Sequence, residues 1–132
     1  MQFTDFLICP ICGKRLELQG RSLLCAGDEK GKRHCFDLSS SGYCDLSYRN
    51  GGGGDPKDAV TDRTAFLDKG YYSPLSHKIN ELCRTYLDDE FLLIDAGCGE
   101  GYYPTKLQML MPDMELAGID ISKYILRSAA KR

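Results

Sequence analysis

The sequence predicts an α/β chain in two parts, a small cysteine-rich metal module followed by the opening of a doubly wound, Rossmann-like domain. Three observations carry this reading. Four of the seven cysteines fall before residue 36. A glycine run, Asn50-Gly-Gly-Gly-Gly-Asp55, interrupts the chain after that cluster. Beyond it the order is helix, strand, glycine turn, helix, strand, acid, helix, the alternation that a parallel sheet requires.

Residues 1–48 form the first part; they are polar, turn-rich and too few to bury a self-sufficient core, so they need a staple. Cys9-Pro-Ile-Cys12-Gly13 is a knuckle: a tight turn points both thiolates at one metal, and the glycine eases the backbone around the sulfurs. Cys25 supplies a third ligand, and either His34 or Cys35 the fourth. Twelve residues separate Cys12 from Cys25 and eight separate Cys25 from His34. The thioredoxin alternative needs a βαβ setting that is absent around this motif. An odd cysteine count and the lack of an export signal argue against a disulfide framework. Four protein ligands leave no open position, which makes one structural Zn2+ the expectation.

Residues 49–57 read as a flexible linker. Asp55-Pro56 is a helix-start signal and Gly70 a stop; Ser73-Pro74 repeats the start. Leu75, Ile79, Leu82, Cys83, Tyr86 and Leu87 recur at helical spacing and predict one buried face. Residues 91–94 form a wholly apolar run, as in a strand covered on both sides. A helix over 102–111, a strand over Glu115–Ile119 and a helix capped by Ser122 complete the order. Two strands cannot cover their own sheet, so the domain over 58–132 reads as incomplete.

Asp95-x-Gly97-x-Gly99-x-Gly101 joins the first of these strands to a helix, and Asp120 ends the second strand. The glycines let backbone approach a ligand, and an acid in the place of Asp120 can accept hydrogen bonds from ribose hydroxyls. The spacing is not the dinucleotide G-x-G-x-x-G, and Glu100 inside the loop is expected to repel a pyrophosphate. An ammonium and a sulfonium suit it better, which favours S-adenosyl-L-methionine (SAM). Cys98 reads as a small packing residue and His77 as solvated.

The stretches Cys9-Pro-Ile-Cys12, Cys25, His34-Cys-Phe-Asp37, Gly42-Tyr43, Arg63-Thr-Ala-Phe-Leu-Asp-Lys-Gly-Tyr-Tyr72 and Asp95-Ala-Gly-Cys-Gly-Glu-Gly-Tyr-Tyr103 together resemble the zinc-containing 23S rRNA (guanine-N1)-methyltransferases of the RlmA type. The resemblance spans nearly the whole chain. It implies a zinc module that reads an RNA hairpin, a class I SAM-dependent methyltransferase domain, and methyl transfer from SAM to N1 of a guanine in 23S rRNA. It places the zinc ligands on Cys9, Cys12, Cys25 and His34, against Cys35. It adds Tyr72, Tyr103 and Pro104 to the SAM contacts Asp95, Gly97, Gly99, Gly101 and Asp120. Two departures stand out: a long Cys25–His34 stretch, and a proline at 104 where a backbone N–H is usual. No residue is identified as a catalytic base.

The net charge of −2 excludes a uniformly basic nucleic-acid binder, but residues 1–37 hold six Lys/Arg against five Asp/Glu. Lys14, Arg15, Lys32 and Arg33 are the phosphate-contact candidates. No apolar run is long enough for a membrane span and no secretory signal is present, so the expected location is cytoplasmic. Homodimerisation is an expectation for a half-domain. A rival reading is a non-catalytic zinc module that binds RNA or a partner; a weaker one is a small-molecule methyltransferase with zinc serving stability.

Overall fold

The computed structural model describes residues 3–47, 53–87 and 92–132, which divide into two compact units, Met1–Gly52 and Gly53–Arg132. The strand residue expected at Phe91 and the linker residues 49–52 lie outside the described residues.

The first unit opens with a 3-10 turn over Phe3–Phe6. An antiparallel sheet follows, ordered β1-β2-β3, with β1 at Leu16–Gln19, β2 at Ser22–Cys25 and β3 at Cys35–Asp37. Gln19 pairs with Ser22 across a two-residue loop, and Gly20 at φ 63° supplies the positive torsion that such a tight hairpin needs. The core consists of Cys9, Leu16, Leu23 and Cys25, with Leu7, Cys12, Phe36, Cys44 and Leu46 packed around it. Half of the fully buried set is thiol. So thin an apolar core contributes little on its own, as the composition implies.

The second unit begins with two helices, α1 at Lys57–Asp68 and α2 at Ser73–Tyr86. Gly70 at φ 80° stops α1, its N–H bonded to the Leu67 carbonyl at 3.0 Å. The expected N-cap role of Asp55 does not hold. Pro56 occupies the cap position without a side-chain bond, and the Asp55 carboxylate instead pairs with the Arg63 guanidinium about two helical turns further in. Likewise Tyr72 caps α2, with Ser73 as its first helical residue.

Strand β4 (Leu92–Ala96), α3 (Tyr102–Leu110) and β5 (Glu115–Ile119) form a β-α-β unit whose strands pair in parallel, Asp95 opposite Gly118 and Ala96 opposite Ile119. Helix α4 (Lys123–Ala129) follows, and the Ser122 hydroxyl accepts the Ile125 N–H at 3.3 Å, the cap expected of it. This architecture is mixed α/β with an N-terminal cysteine-rich module.

Burial corrects two expectations. On α2 the residues that are hidden are Ser76 and Asn80, while Leu75, Leu82 and Tyr86 are 47%, 46% and 79% exposed. α2 is in contact with α3, and of the expected apolar face only Ile79, Cys83 and Leu87 are partly buried. The strand expected to be covered on both faces leaves Ile94 exposed, as β5 does Ile119. A two-stranded sheet offers too little surface for the helices to sheathe both faces.

Candidate metal centre and cofactor loop

The knuckle is closed by backbone bonds. Cys9 N–H donates to the Lys14 carbonyl at 2.7 Å, and Gly13 N–H, at φ 69°, donates to the Cys9 carbonyl at 2.8 Å. Cys25 ends β2, and His34 immediately precedes β3. The two strands pair with Leu24 opposite Cys35, and Cys25 N–H donates to the His34 carbonyl at 3.1 Å. The intervening loop is tied at its own waist: the Asp28 carboxylate accepts the Lys30 and Lys32 N–H groups, each at 2.9 Å. These bonds hold the Asp28 carboxyl below the usual carboxylate range, the Lys32 N–H first among the causes. The length of the Cys25–His34 stretch is therefore no obstacle.

The ligand atoms of Cys9, Cys12, Cys25 and His34 all lie within 4.8 Å of one another. His34 Nδ1 stands 3.6 Å from Cys9 Sγ and 3.5 Å from Cys25 Sγ. The His34 backbone N–H donates to Cys25 Sγ at 3.0 Å and is the leading reason that this thiol is held down at about 6. Cys12 goes the other way. Against the lowering pull of the Lys14 N–H, burial and the adjacent Cys9 and Cys25 thiols push it up. Three sulfurs this close repel one another as thiolates, and a dication at their centre relieves that repulsion. The donor set fits Zn2+: soft or borderline atoms, four in number, largely shielded from water. Cys35 is exposed, its thiol directed to Asp37 Oδ1 at 3.6 Å rather than to the cluster, because successive strand residues face opposite ways.

In the second unit the predicted loop residues converge. Gly97, Gly99 and Gly101 have φ of 86°, 56° and 78°, torsions open to glycine and costly for other residues. A Cβ on Gly97 would meet nothing within 4 Å, so the backbone there fronts open space, a cradle a ligand could fill. Gly97 and Cys98 both donate to the Ile119 carbonyl, at 2.7 and 3.0 Å, which fastens the loop to the end of β5. Asp120 then takes Gly99 N–H on one oxygen at 3.0 Å and Ser122 N–H on the other at 2.8 Å. A carboxylate offers about four lone-pair sites, so these two bonds leave acceptor capacity for hydroxyl groups. Asp95 lies close enough that burial, then the Asp120 charge, raise its carboxyl above the ordinary range.

Burial first, then the charges of the Tyr72 and Tyr102 phenols, pushes the Tyr103 phenol up. Tyr102 packs edge-on to Tyr103 at 5.1 Å. Pro104 is buried in the first turn of α3, where the first intrahelical bond is made one residue later, by Thr105 N–H to the Gly101 carbonyl at 3.1 Å. Its missing N–H therefore removes nothing from the helix ladder. Cys98 is buried and its thiol is pushed up to about 11, chiefly by burial, in keeping with a neutral packing role.

Glu100 corrects the electrostatic part of the sequence reading. It does not face the ligand side as a free negative charge: it is 2% exposed, with Arg132 and Thr64 bonded to its two oxygens. The preference for SAM over a pyrophosphate ligand thus rests on the Asp95/Asp120 pair and the glycine spacing. Arg132 carried no signal in the sequence, and Thr64 lay in the stretch 63–72 that resembles the family but had no role assigned. Gly118 did carry one that went unused, since a glycine inside a strand marks close approach. A Cβ there would stand 2.7 Å from Cys98 Sγ.

These two sites define a metal-ribbon module joined to a β-α-β unit with a glycine-rich loop at its strand ends. Residues 7–47 match the family model Zn_ribbon_RlmA, described as RlmA, N-terminal. Over 129 residues, 96% of the chain, the sequence is 32% identical to a "23S rRNA (guanine(748)-N(1))-methyltransferase" of Streptomyces fradiae, of which it spans 44%. Two further relatives are each named "Putative 23S rRNA (guanine-N(1)-)-methyltransferase". The one from Micromonospora griseorubida is 27% identical over 95% of the chain and 47% of its own length. The one from Bacillus subtilis strain 168 is 30% identical over 93% of the chain and 45% of its own length. The chain thus spans less than half the length of the curated relatives it matches, and its similarity is to an RlmA-type N-terminal portion. Among the described residues no helix is long and apolar enough to cross a membrane.

Proposed function

We infer that this chain is the zinc ribbon and the leading part of a class I, Rossmann-like methyltransferase domain that modifies N1 of a guanine in a 23S rRNA hairpin. One observation carries the cofactor reading above the others. Asp120, at the C-terminal end of β5, braces Gly99 of the loop at the C-terminal end of β4. Ligands of parallel α/β sheets bind outside those strand ends, between glycine-rich backbone and a ribose-binding acid.

In this reading Cys9, Cys12, Cys25 and His34 hold one structural zinc, which fixes the ribbon and takes no part in bond making. When bound, SAM supplies an activated methyl group with a good leaving group already in place. Asp120 accepts the ribose hydroxyls, the backbone at Gly97, Gly99 and Gly101 approaches the ligand closely, and Asp95 favours its cationic end. Tyr72, Tyr103 and Pro104 would supply the remaining contacts to the bound molecule. These residues bind and orient, which is most of what such a displacement asks of a protein. No general base is assigned. A guanine held in a hairpin must be unstacked to reach the site. Lys14 and Lys32 are exposed and suited to phosphate, whereas Arg15 and Arg33 each spend part of their guanidinium on a backbone carbonyl, of Asp5 and Cys25. A cytoplasmic setting follows from an rRNA substrate.

Calorimetric titration of SAM into the zinc-loaded chain tests this. Saturable binding that is lost in Asp120→Ala supports the reading. A folded, zinc-loaded chain that takes up hairpin RNA but no SAM would instead leave a zinc ribbon that binds RNA without a working cofactor site.

A further inference from the structure

Glu100 lies in the middle of the cofactor loop, between Gly99 and Gly101, yet its side chain is directed inward and is 2% exposed. A carboxylate so buried must have partners for both oxygens. Oε1 accepts from the Arg132 guanidinium at 2.8 Å and Oε2 from the Thr64 hydroxyl at 2.7 Å. The Thr64 hydroxyl also lies 3.0 Å from the Val60 carbonyl, but its single proton goes to the shorter, charged acceptor. The same Arg132 nitrogen bonds Asp68 of α1 at 3.0 Å, and its guanidinium stands 6.0 Å from the centre of the buried Tyr102 ring. Thr64 and Asp68 are one turn apart on α1. The loop is therefore gripped from α1 on one side and from the residues after α4 on the other, through a side chain that touches no ligand surface.

We propose that Thr64 and Arg132 are positioning residues for the cofactor loop: by holding Glu100 inward they fix the Gly99–Gly101 backbone against Asp120 and keep the open side at Gly97 clear for ligand. The inference deepens the SAM reading and rests on it for its functional consequence, though not for the grip itself. Loss of either partner leaves one oxygen of a buried carboxylate without its hydrogen bond, and the least costly response is for Glu100 to swing out, carrying its two glycines with it. α1 would then help set the affinity of the site through its hold on Glu100.

The test is amide hydrogen exchange by NMR on the zinc-loaded chain, together with SAM titration, for Thr64→Val, Arg132→Gln and Arg132→Lys. The Gly99 N–H is bonded to Asp120 and the Gly101 N–H to the Cys98 carbonyl, so both report on the loop. In Thr64→Val and Arg132→Gln these two amides are expected to exchange about tenfold faster or more, the worth of a charged hydrogen bond. Amides of β4 and β5 keep their protection, SAM affinity falls in the same order, and Arg132→Lys restores part of both. Loop amides that exchange as in the parent overturn the proposal, and so does an equal acceleration throughout the second unit. A parent chain that takes up no SAM defeats the cofactor reading, while the exchange pattern still decides the grip.

Discussion

Cys25 and His34 face each other across the β2–β3 pair, each donating its backbone N–H to the other: Cys25 to the His34 carbonyl at 3.1 Å, His34 to the Cys25 sulfur at 3.0 Å. The metal's third and fourth ligands are thus set by sheet register, and the loop between them can vary in length without moving either. Cys35, one residue further along, falls on the other face.

Cys25→Ser is expected to abolish zinc retention and unfold the ribbon, because structural zinc supplies about 10–16 kcal/mol to modules of this kind. Cys35→Ser is expected to keep one zinc per chain. Metal content after dialysis, read beside far-UV circular dichroism, checks both. Zinc loss in the Cys35 variant would overturn the choice of His34 over Cys35 as the fourth ligand.

Asp28→Ala removes the acceptor that ties the loop between Cys25 and His34. The zinc should remain bound but dissociate about tenfold faster into a chelator, in the range seen when residues supporting metal ligands are lost. An unchanged release rate would show that the β2–β3 pairing alone holds the two ligands.

Asp95 supplies the pH dependence. Its carboxyl is raised by burial first and by Asp120 second, so the charged form is penalised in the folded chain. The penalty is fully present above the raised folded value and fades as pH falls through it toward the ordinary carboxylate range. Asp95→Asn is therefore expected to raise the urea midpoint of the second unit at pH 7 and to lose that advantage near pH 4, while weakening SAM binding. A variant that is less stable at pH 7 contradicts the sign.

Gly118→Ala places a methyl group 2.7 Å from Cys98 Sγ and 3.0 Å from its Cβ. Overpacking of this kind costs about 1–3 kcal/mol. Adding Cys98→Ala should recover part of the loss, since it removes the nearer atom. Equilibrium urea unfolding of the two variants beside the parent measures this.

Local and short-period features were legible in the residues alone. Cys9-x-x-Cys12 dictates a knuckle because a tight turn can bring two thiols to one metal. Gly97, Gly99 and Gly101 dictate torsions that other residues resist, and Ser122 caps its helix within a few residues of itself. Strand β5 likewise shows in its own apolar stretch. What required the tertiary structure is whatever depends on partners distant in the chain. His34, which spacing alone left level with Cys35 and the family resemblance favoured, is brought to the cluster by strand register. Glu100 is turned inward by Thr64 and Arg132, 36 and 32 residues away. The apolar periodicity of α2 marks a helix, but it does not fix which side is covered. Ser76 and Asn80 are buried there and Leu75 and Tyr86 are not, because burial depends on the neighbour that packs against a face as well as on the face itself.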